Sequence, residues 1–564
     1  MFSLDNRHRW LRLIRTRYMG KVWISRAACL NHTPWHVIAV IALSLAGAAQ
    51  IFYATTMGVA AYSDSTEYIV SARNLISGHG LGLITPTGRL MPLYFHPPLY
   101  PLVLSALGAP GLDLLGVARW LNIVLFGLLI ALVGKSAWSL TSSIIVTISV
   151  SLLVVTSSFL VSTFTAAQAE PLFLVLGIAS LMLSVRAANQ ERRSLMIAAA
   201  LLAGLTAATR YIGLAFLFPG AAFLVVRSRN DVRSGLRRAF VYLGIGLAPL
   251  VFWLGYLEIA QSGTNPRLFD PPENLWSELA PFRIAFTDVT WNWIGLPAEA
   301  TALPYRTRLV AIPLVVVISA TAVIARKRIS NTNYTSGDRI DVIAQAALVV
   351  SLFSVAYVSL LAFTFSFYLP KLDLDTRTFS PYLLALTAGI LQALFSLTSN
   401  ERYRKLQTLL FASVVLVIAI RQLTGTATLT TDLHQKGRGF TGLRWQSSET
   451  LQAVFLLDPS IPLISNETAA IMLLMNRSPF ELPELESKVP SPIIGAFGDG
   501  ATRAERIFRE EGAALVLFDN IQWQMLPLYG ESTPERLDAL VDGLFLLSDL
   551  ADGSIHFYAD PSGE

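Results

Sequence analysis

Charge is scarce in this 564-residue chain: 14% of its residues are Asp, Glu, Lys or Arg, where soluble domains carry about 25%. With 53% hydrophobic residues and a mean hydropathy of +0.53, that shortage excludes a soluble globular protein over most of the length. There is one cysteine, Cys29, so no intrachain disulfide can form and the fold does not depend on oxidation. The seven histidines show no metal-ligand spacing, which argues against a zinc site. The glycine run GAFGDG at 495–500 lacks the lysine of a phosphate loop and reads as a turn. No repeat recurs at a solenoid or propeller period.

Long apolar runs are present instead. A helix needs roughly 20 mostly apolar residues to cross a bilayer, and stretches near that length recur from residue 36 to about 424. The tail 1–35 holds Arg7, Arg9, Arg12, Arg15, Arg17, Lys21 and Arg26 against one acid, Asp5, the pattern of a cytoplasmic anchor. The run that follows, HVIAVIALSLAGAAQIFYATT, is too long for a signal-peptide core and reads as an uncleaved first span.

Further basic clusters at 186–193, 227–238, 326–339 and 402–405 mark cytoplasmic turns, so an even number of crossings lies between each pair. That parity predicts a hairpin of two short helices over 193–227 with its tip, near Arg210, facing outward. It also puts 165–171, the loop 259–308 and the short loop 366–382 outside. The segment 97–110 is too short for an ordinary span and reads as re-entrant or tilted. The expected fold is an α-helical polytopic membrane protein with 11–13 transmembrane helices.

From 431 to 564 the chain carries 20 acids and 9 bases, a net of −11, with no spanning run. Short apolar runs alternate there with helix-like stretches, and a hairpin is expected at Asp552 and Gly553. The organisation predicted is therefore a basic cytoplasmic tail (1–35), a transmembrane domain (36–430) with outer loops 58–97 and 259–308, and a soluble extracytoplasmic α/β domain (431–564). Multi-pass insertion in the inner (plasma) membrane follows, with no call for nucleic acid as a partner.

The most polar early stretch, YSDSTEYIVSARNLISGHG at 62–80, comes just after the first span. Asp64, Glu67 and Tyr68 share one helical face at i, i+3 and i+4, with Ile69, Ala72 and Leu75 forming an apolar strip that lies on the bilayer or packs on the bundle. Asp64 could equally be the N-cap of that helix, with Glu67 completing a capping box. The same loop ends in LYFHPPLYPLVLSALG, where two prolines fix the backbone after His96.

An outer-loop acid soon after the first span, with His-Pro-Pro-Leu some 30 residues on, resembles the GT-C superfamily of integral-membrane glycosyltransferases. Protein O-mannosyltransferases and lipid A aminoarabinose transferases are its nearest named members. VARWLNIVLFGLL from 117, AAQAEPLFLVLGIASLML from 166, LAGLTAATRYIGLAFL from 202 and LDTRTFSPYLLAL from 374 agree in order and spacing. The resemblance covers roughly 36–400 and leaves the carboxy-terminal domain unmatched.

It implies transfer of a sugar from a polyprenyl-phosphate carrier to an extracytoplasmic glycan, lipid or protein acceptor, with Asp64 as the catalytic base. Many relatives carry a second acid directly after the first. Here Ser65 stands there and the next acid is Glu67, which puts a two-carboxylate site for a divalent cation in doubt. A single displacement needs one base and fixed positive charge near the departing phosphate, for which an arginine fork is suited.

The substrate-binding candidates are Glu67, Tyr68, His96, Glu170, Arg210 and Arg377, and each has a plainer reading. Arg210, in the middle of an otherwise uncharged run, costs about 2.5–3.5 kcal/mol at bilayer depth and either binds phosphate or snorkels to headgroups. Glu170, before Pro171, lines the cavity or simply starts a helix. Arg377 holds phosphate or sugar, or pairs locally with Asp373 or Asp375. His96 contacts substrate or is an interfacial structural residue. Tyr68 and the aromatics of 275–295 pack against substrate or form an interfacial belt. A transporter or flippase of a lipid-linked sugar is the competing class, since intramembrane charge also marks translocation paths; an inactive polysaccharide-binding scaffold is a weaker third.

Overall fold

The computed structural model describes residues 34–93, 95–190, 192–228, 231–260, 268–293, 339–369, 371–396, 401–483 and 500–559. The basic tail 1–33 with Cys29, the segment 294–338 and most of the GAFGDG run lie outside the described residues.

The membrane part opens with α1 (Trp35–Ala54), α2 (Ser63–Ile76), a hairpin of β1 (Gly82–Ile84) and β2 (Leu90–Pro92), and α3 (Leu99–Gly108). Then come α4 (Leu114–Thr141), the pair α5 (Ile144–Val155) and α6 (Ser158–Phe164), α7 (Glu170–Gln190), α8 (Arg193–Thr209), a 3-10 turn (Tyr211–Phe216), α9 (Leu217–Arg227) and α10 (Val232–Ile259). Strand β3 (Leu268–Phe269), α11 (Leu275–Trp293), α12 (Arg339–Phe367), β4 (Tyr368–Leu369), α13 (Thr376–Ser396) and α14 (Glu401–Lys436) follow.

Among the described residues six helices are long and apolar enough to cross a membrane, a seventh span if α5 and α6, bent by 58°, count as one, and three shorter apolar helices accompany them. The chain is thus a multi-pass membrane protein. Segment 97–110 holds only the short helix α3. The expected hairpin over 193–227 is present, with α8 rising to Arg210 and α9 returning. α8 and α10 meet at backbone distance: a Cβ on Gly204 would lie 2.2 Å from the Gly246 carbonyl, the close approach that small residues allow between membrane helices.

The last membrane helix runs unbroken to Lys436, past the composition change at 430. Beyond it are α15 (Leu443–Gln446), α16 (Glu449–Leu456), β5 (Leu463–Ser465), α17 (Thr468–Met475), β6 (Phe480–Glu481), α18 (Gly500–Glu510), β7 (Ala514–Phe518), α19 (Ile521–Tyr529), α20 (Thr533–Val541), β8 (Phe545–Leu550) and β9 (Gly553–Phe557). The sheet order is β6-β5-β7-β9-β8, with β5 parallel to both β6 and β7 and β9 antiparallel to β7 and β8. The β8–β9 hairpin turns at Asp552, as its sequence implies. Two apolar clusters, one around Trp445, Val454 and Phe518 and one around Leu515, Ile507 and Met525, fill the two sides of this sheet. A small α/β domain therefore stands on one end of the helical bundle.

Residues 59–61 clasp the two parts together. Ala60 N–H donates to Thr165 O (2.8 Å), Ala167 N–H to Ala60 O (2.8 Å) and Phe440 N–H to Ala61 O (2.7 Å). Gly439 has φ +61°, and a Cβ there would fall 2.0 Å from Ala61 O, so this crossing requires glycine. The clasp fixes the start of α2, the helix that carries the early acids.

Candidate active site

Helix α2 begins at Ser63, with Tyr62 as its N-cap residue. Ser65 Oγ accepts the Tyr62 N–H at 3.0 Å and so closes the first turn. The capping box therefore runs from Tyr62 to Ser65 instead of from Asp64 to Glu67, which corrects the capping alternative: Asp64 lies inside the first turn with its carboxylate free for other partners. Ile69 and Ala72 are buried, so the apolar strip of α2 packs into the bundle. On its other side, Thr66 Oγ1 donates to Ala469 O (3.1 Å) and Arg73 to Asn476 Oδ1 (2.8 Å) and Leu473 O (3.2 Å). The helix is held between the membrane bundle and α17.

All seven candidate residues gather at one place. His96 Nε2 lies 3.8 Å from Asp64 Oδ1 and 3.5 Å from Glu67 Oε2, and its ring is 4.8 Å from that of Tyr68. Pro97 and Pro98, between the β-hairpin and α3, set this histidine over the face of α2. Arg377, in the first turn of α13, places Nη1 3.2 Å from Asp64 Oδ2. Glu170, the first residue of α7 and 5% exposed at its side chain, is bonded to Arg210 and lies 3.3 Å from Arg377 Nε. Arg210 terminates α8; its snorkelling alternative fails because it reaches inward to a buried carboxylate. The local pairing of Arg377 is real but partial, since Asp375 Oδ2 sits 3.4 Å from Nε while the same guanidinium also meets Asp64 and Glu170.

The Nε–H of Arg377 makes no hydrogen bond although it is buried: its carboxylate neighbours are near but not in line. The Tyr100 hydroxyl is likewise buried without a partner. Two donors of the cluster are therefore buried and unsatisfied, an arrangement that costs free energy unless an acceptor arrives.

The two acids of α2 differ in charge state. Partial burial would raise Asp64, but the positive charges of His96, Arg377 and Arg210 outweigh it and hold the carboxyl below its usual range. For Glu67, burial and then the charge on Asp64 push the value up to about 8. Asp64 is thus the ionised acid and, at 38% exposure against 27%, the more open one. Burial and the nearby acids also keep the Tyr68 phenol un-ionised. Among the described residues no three His, Cys, Asp or Glu gather as a metal-ion site.

Sequence reasoning missed Tyr100, whose ring meets Tyr68 edge-on at 5.1 Å, and Tyr357 of α12, which lies within electrostatic reach of Arg210 and donates to Thr378 O at 2.7 Å. Tyr100 is the second residue of α3, four positions after His96. Tyr357 is embedded in an apolar run that gives no signal. The aromatics of 275–293 stay apart from the charged cluster: Phe282 and Phe286 pack on Phe379 at 5.8 and 5.6 Å, and Trp276 is exposed.

Beneath the cluster, a cavity of about 340 Å³ lies among α4, α5, α7, α12 and α13, lined by Val154, Leu174, Phe216, Val349, Phe353 and Ala385 among others. Phe353 packs on Phe216 (4.3 Å) and on Tyr357 (5.4 Å), which links the apolar cavity to the Arg210 end of the site.

The sequence matches no protein-family model and no curated protein. Among solved structures, the chain superposes on ArnT from Cupriavidus metallidurans bound to undecaprenyl phosphate, over 94% of this chain and 99% of that one, with a TM-score of 0.55 at 14% identity. Apo ArnT gives 93% and 98%, 0.55 and 12%. The Archaeoglobus fulgidus oligosaccharyltransferase in the apo form gives 94% and 75%, 0.49 and 12%. The chain therefore shares its fold with ArnT, over nearly the whole length of both chains.

Proposed function

We propose that this chain transfers a sugar from a polyprenyl-phosphate donor to an acceptor hydroxyl by a single displacement. The observation that carries the reading is the ionised, open Asp64 with Arg377 against it and Arg210 behind. Asp64 takes the proton of the acceptor hydroxyl as its oxygen attacks the anomeric carbon. The carbon–oxygen bond to phosphate breaks on the opposite face, and the lipid phosphate leaves with the bonding electrons. Arg377 and Arg210 stabilise the charge growing on that phosphate, the class of effect that removal of one donor in other enzymes shows to be worth about 10²–10³ in rate. Because attack and departure are on opposite faces, the product anomer is inverted.

The remaining groups fit the same step. Neutral Glu67 adds no second negative charge beside the base, and His96 lies within reach of both acids of α2. Glu170 holds the two arginines in position. The apolar cavity below suits an isoprenoid chain, and the shared fold with ArnT, crystallised with undecaprenyl phosphate, supports a lipid-phosphate donor. No step is routed through a metal ion.

The test is label transfer by purified protein from a polyprenyl-phosphate sugar to envelope acceptors. Labelled, anomerically inverted product that does not form when a nucleotide sugar replaces the lipid donor is the expected result. Movement of the lipid-linked sugar between leaflets with no transfer would overturn the reading in favour of a flippase.

A further inference from the structure

At the membrane end opposite the Asp64 cluster, the ends of four helices surround a second cavity of about 340 Å³. α7 ends here, α8 starts, α9 ends and α10 starts. Its lining includes Arg192, Arg193, Arg227, Arg237 and Arg238. Among the described residues, none of the five forms an ion pair and no carboxylate lines the cavity. Asp231, the nearest described acid along the chain, caps α10 by accepting the Ser234 N–H at 3.0 Å.

A topology signal accounts for arginines on one face of a membrane. It does not account for five of them converging from the ends of α8, α9 and α10 on one hollow. Two helices start at this hollow and two end at it, so their dipoles largely cancel and the arginines set the field. The rest of the lining is Ser228 and Ser234 with the apolar Ala187, Met196, Leu224 and Val241. Next to it Leu236 and Phe240 are 46% and 73% exposed, as side chains that face lipid are. An anion reaching this cavity from the side would thus bring an apolar body with it.

We propose that the cavity binds the phosphate of an anionic lipid headgroup, whose acyl chains lie along the exposed face of α10. The site is separate from the donor site: α8 lies between them, with Arg193 at one end and Thr209, before Arg210, at the other. Phosphate chemistry alone would also admit free inorganic phosphate, so the experiment distinguishes the two.

Full-length purified protein is titrated with phosphatidylglycerol, phosphatidylcholine or inorganic phosphate, and bound species are counted by native mass spectrometry. The pocket variant is Arg237→Gln with Arg238→Gln. The control is Arg233→Gln with Lys405→Gln, two exposed bases that do not line the cavity. With each basic side chain worth roughly fivefold toward an anionic lipid, the pocket pair should weaken phosphatidylglycerol binding about 30-fold. The control pair should leave it within about threefold, and phosphatidylcholine should bind weakly to all forms. Equal losses in both pairs would reduce the effect to general surface attraction and overturn the site. So would wild-type protein that holds phosphatidylcholine as tightly as phosphatidylglycerol. Displacement of the lipid by millimolar inorganic phosphate would overturn the lipid source.

Discussion

Glu67 should be protonated at neutral pH, and replacing it with glutamine should remove the alkaline limit of the proposed transfer. The carboxyl titrates near 8 against an ordinary value of 4.5 because it is buried beside the charge on Asp64. At roughly 1.4 kcal/mol per pH decade, that displacement is a difference of about 5 kcal/mol between the two protonation states in the fold and in water. About nine-tenths of the molecules therefore carry the proton at pH 7, and about one-tenth at pH 9.

Once Glu67 ionises, a second negative charge faces His96 at 3.5 Å and competes with Asp64 for its cations. Wild-type transfer should fall about tenfold per pH unit above 8, while Glu67→Gln, which keeps the neutral shape, should stay flat there. Stability follows the same sign. The unfolded chain releases this proton near 4.5 and the fold releases it near 8, so the contribution is complete below 4.5 and is lost as pH rises through 8. Glu67→Gln should flatten that slope. The assay is a pH–rate profile of both proteins, with the infrared carbonyl band of the protonated acid measured at neutral pH. An alkaline limb that persists unchanged in Glu67→Gln, or a neutral-pH spectrum that loses no carboxylic-acid band on mutation, would refute the reasoning.

Arg377→Gln should lower the transfer rate by about 10²–10³, and Arg377→Lys should recover little, because one ammonium cannot span Asp64 and Glu170 as the guanidinium does; steady-state rates at saturating donor check both. Glu170→Ala leaves the Arg210 charge without its buried partner and should destabilise the protein by about 3–5 kcal/mol, whereas Glu170→Ala combined with Arg210→Met should be milder than that single change; thermal unfolding in detergent measures the difference. Ala385→Phe, which fills the apolar cavity, should raise the KM for long polyprenyl donors more than for short-chain analogues and leave kcat with short donors near wild type.

Much of this site was legible because its chemistry is costly in an apolar chain. An arginine such as Arg210 cannot sit in a long uncharged run without a partner or a cavity, and the spacing of Asp64, Glu67 and Tyr68 puts them on one side of any helix. The hairpin at Asp552 and the helical hairpin over 193–227 followed from turn residues and basic clusters in the same way.

What sequence could not give was pairing across the fold. That Glu170 bridges Arg210 and Arg377, and that Arg377 reaches Asp64, depends on helix ends far apart in the chain meeting at one point. The capping alternative at Asp64 fails for a related reason: the D-S-T-E spacing satisfies a capping box, but tertiary contacts at 59–61 set the helix start earlier and give the cap bond to Ser65. Tyr357 had no local signal, since a tyrosine in an apolar helix reads as core until its neighbours are known.

The account rests on Asp64 acting as the base while Arg377 and Arg210, held by Glu170 as well, carry the phosphate. Asp64→Asn keeps the shape and removes the base, so donor affinity and turnover should separate. Measured on one preparation, the variant should bind the polyprenyl-phosphate donor within about threefold of wild type while transfer falls by about 10²–10⁴, the range of general base catalysis. Transfer by Asp64→Asn at a rate near wild type would contradict the account.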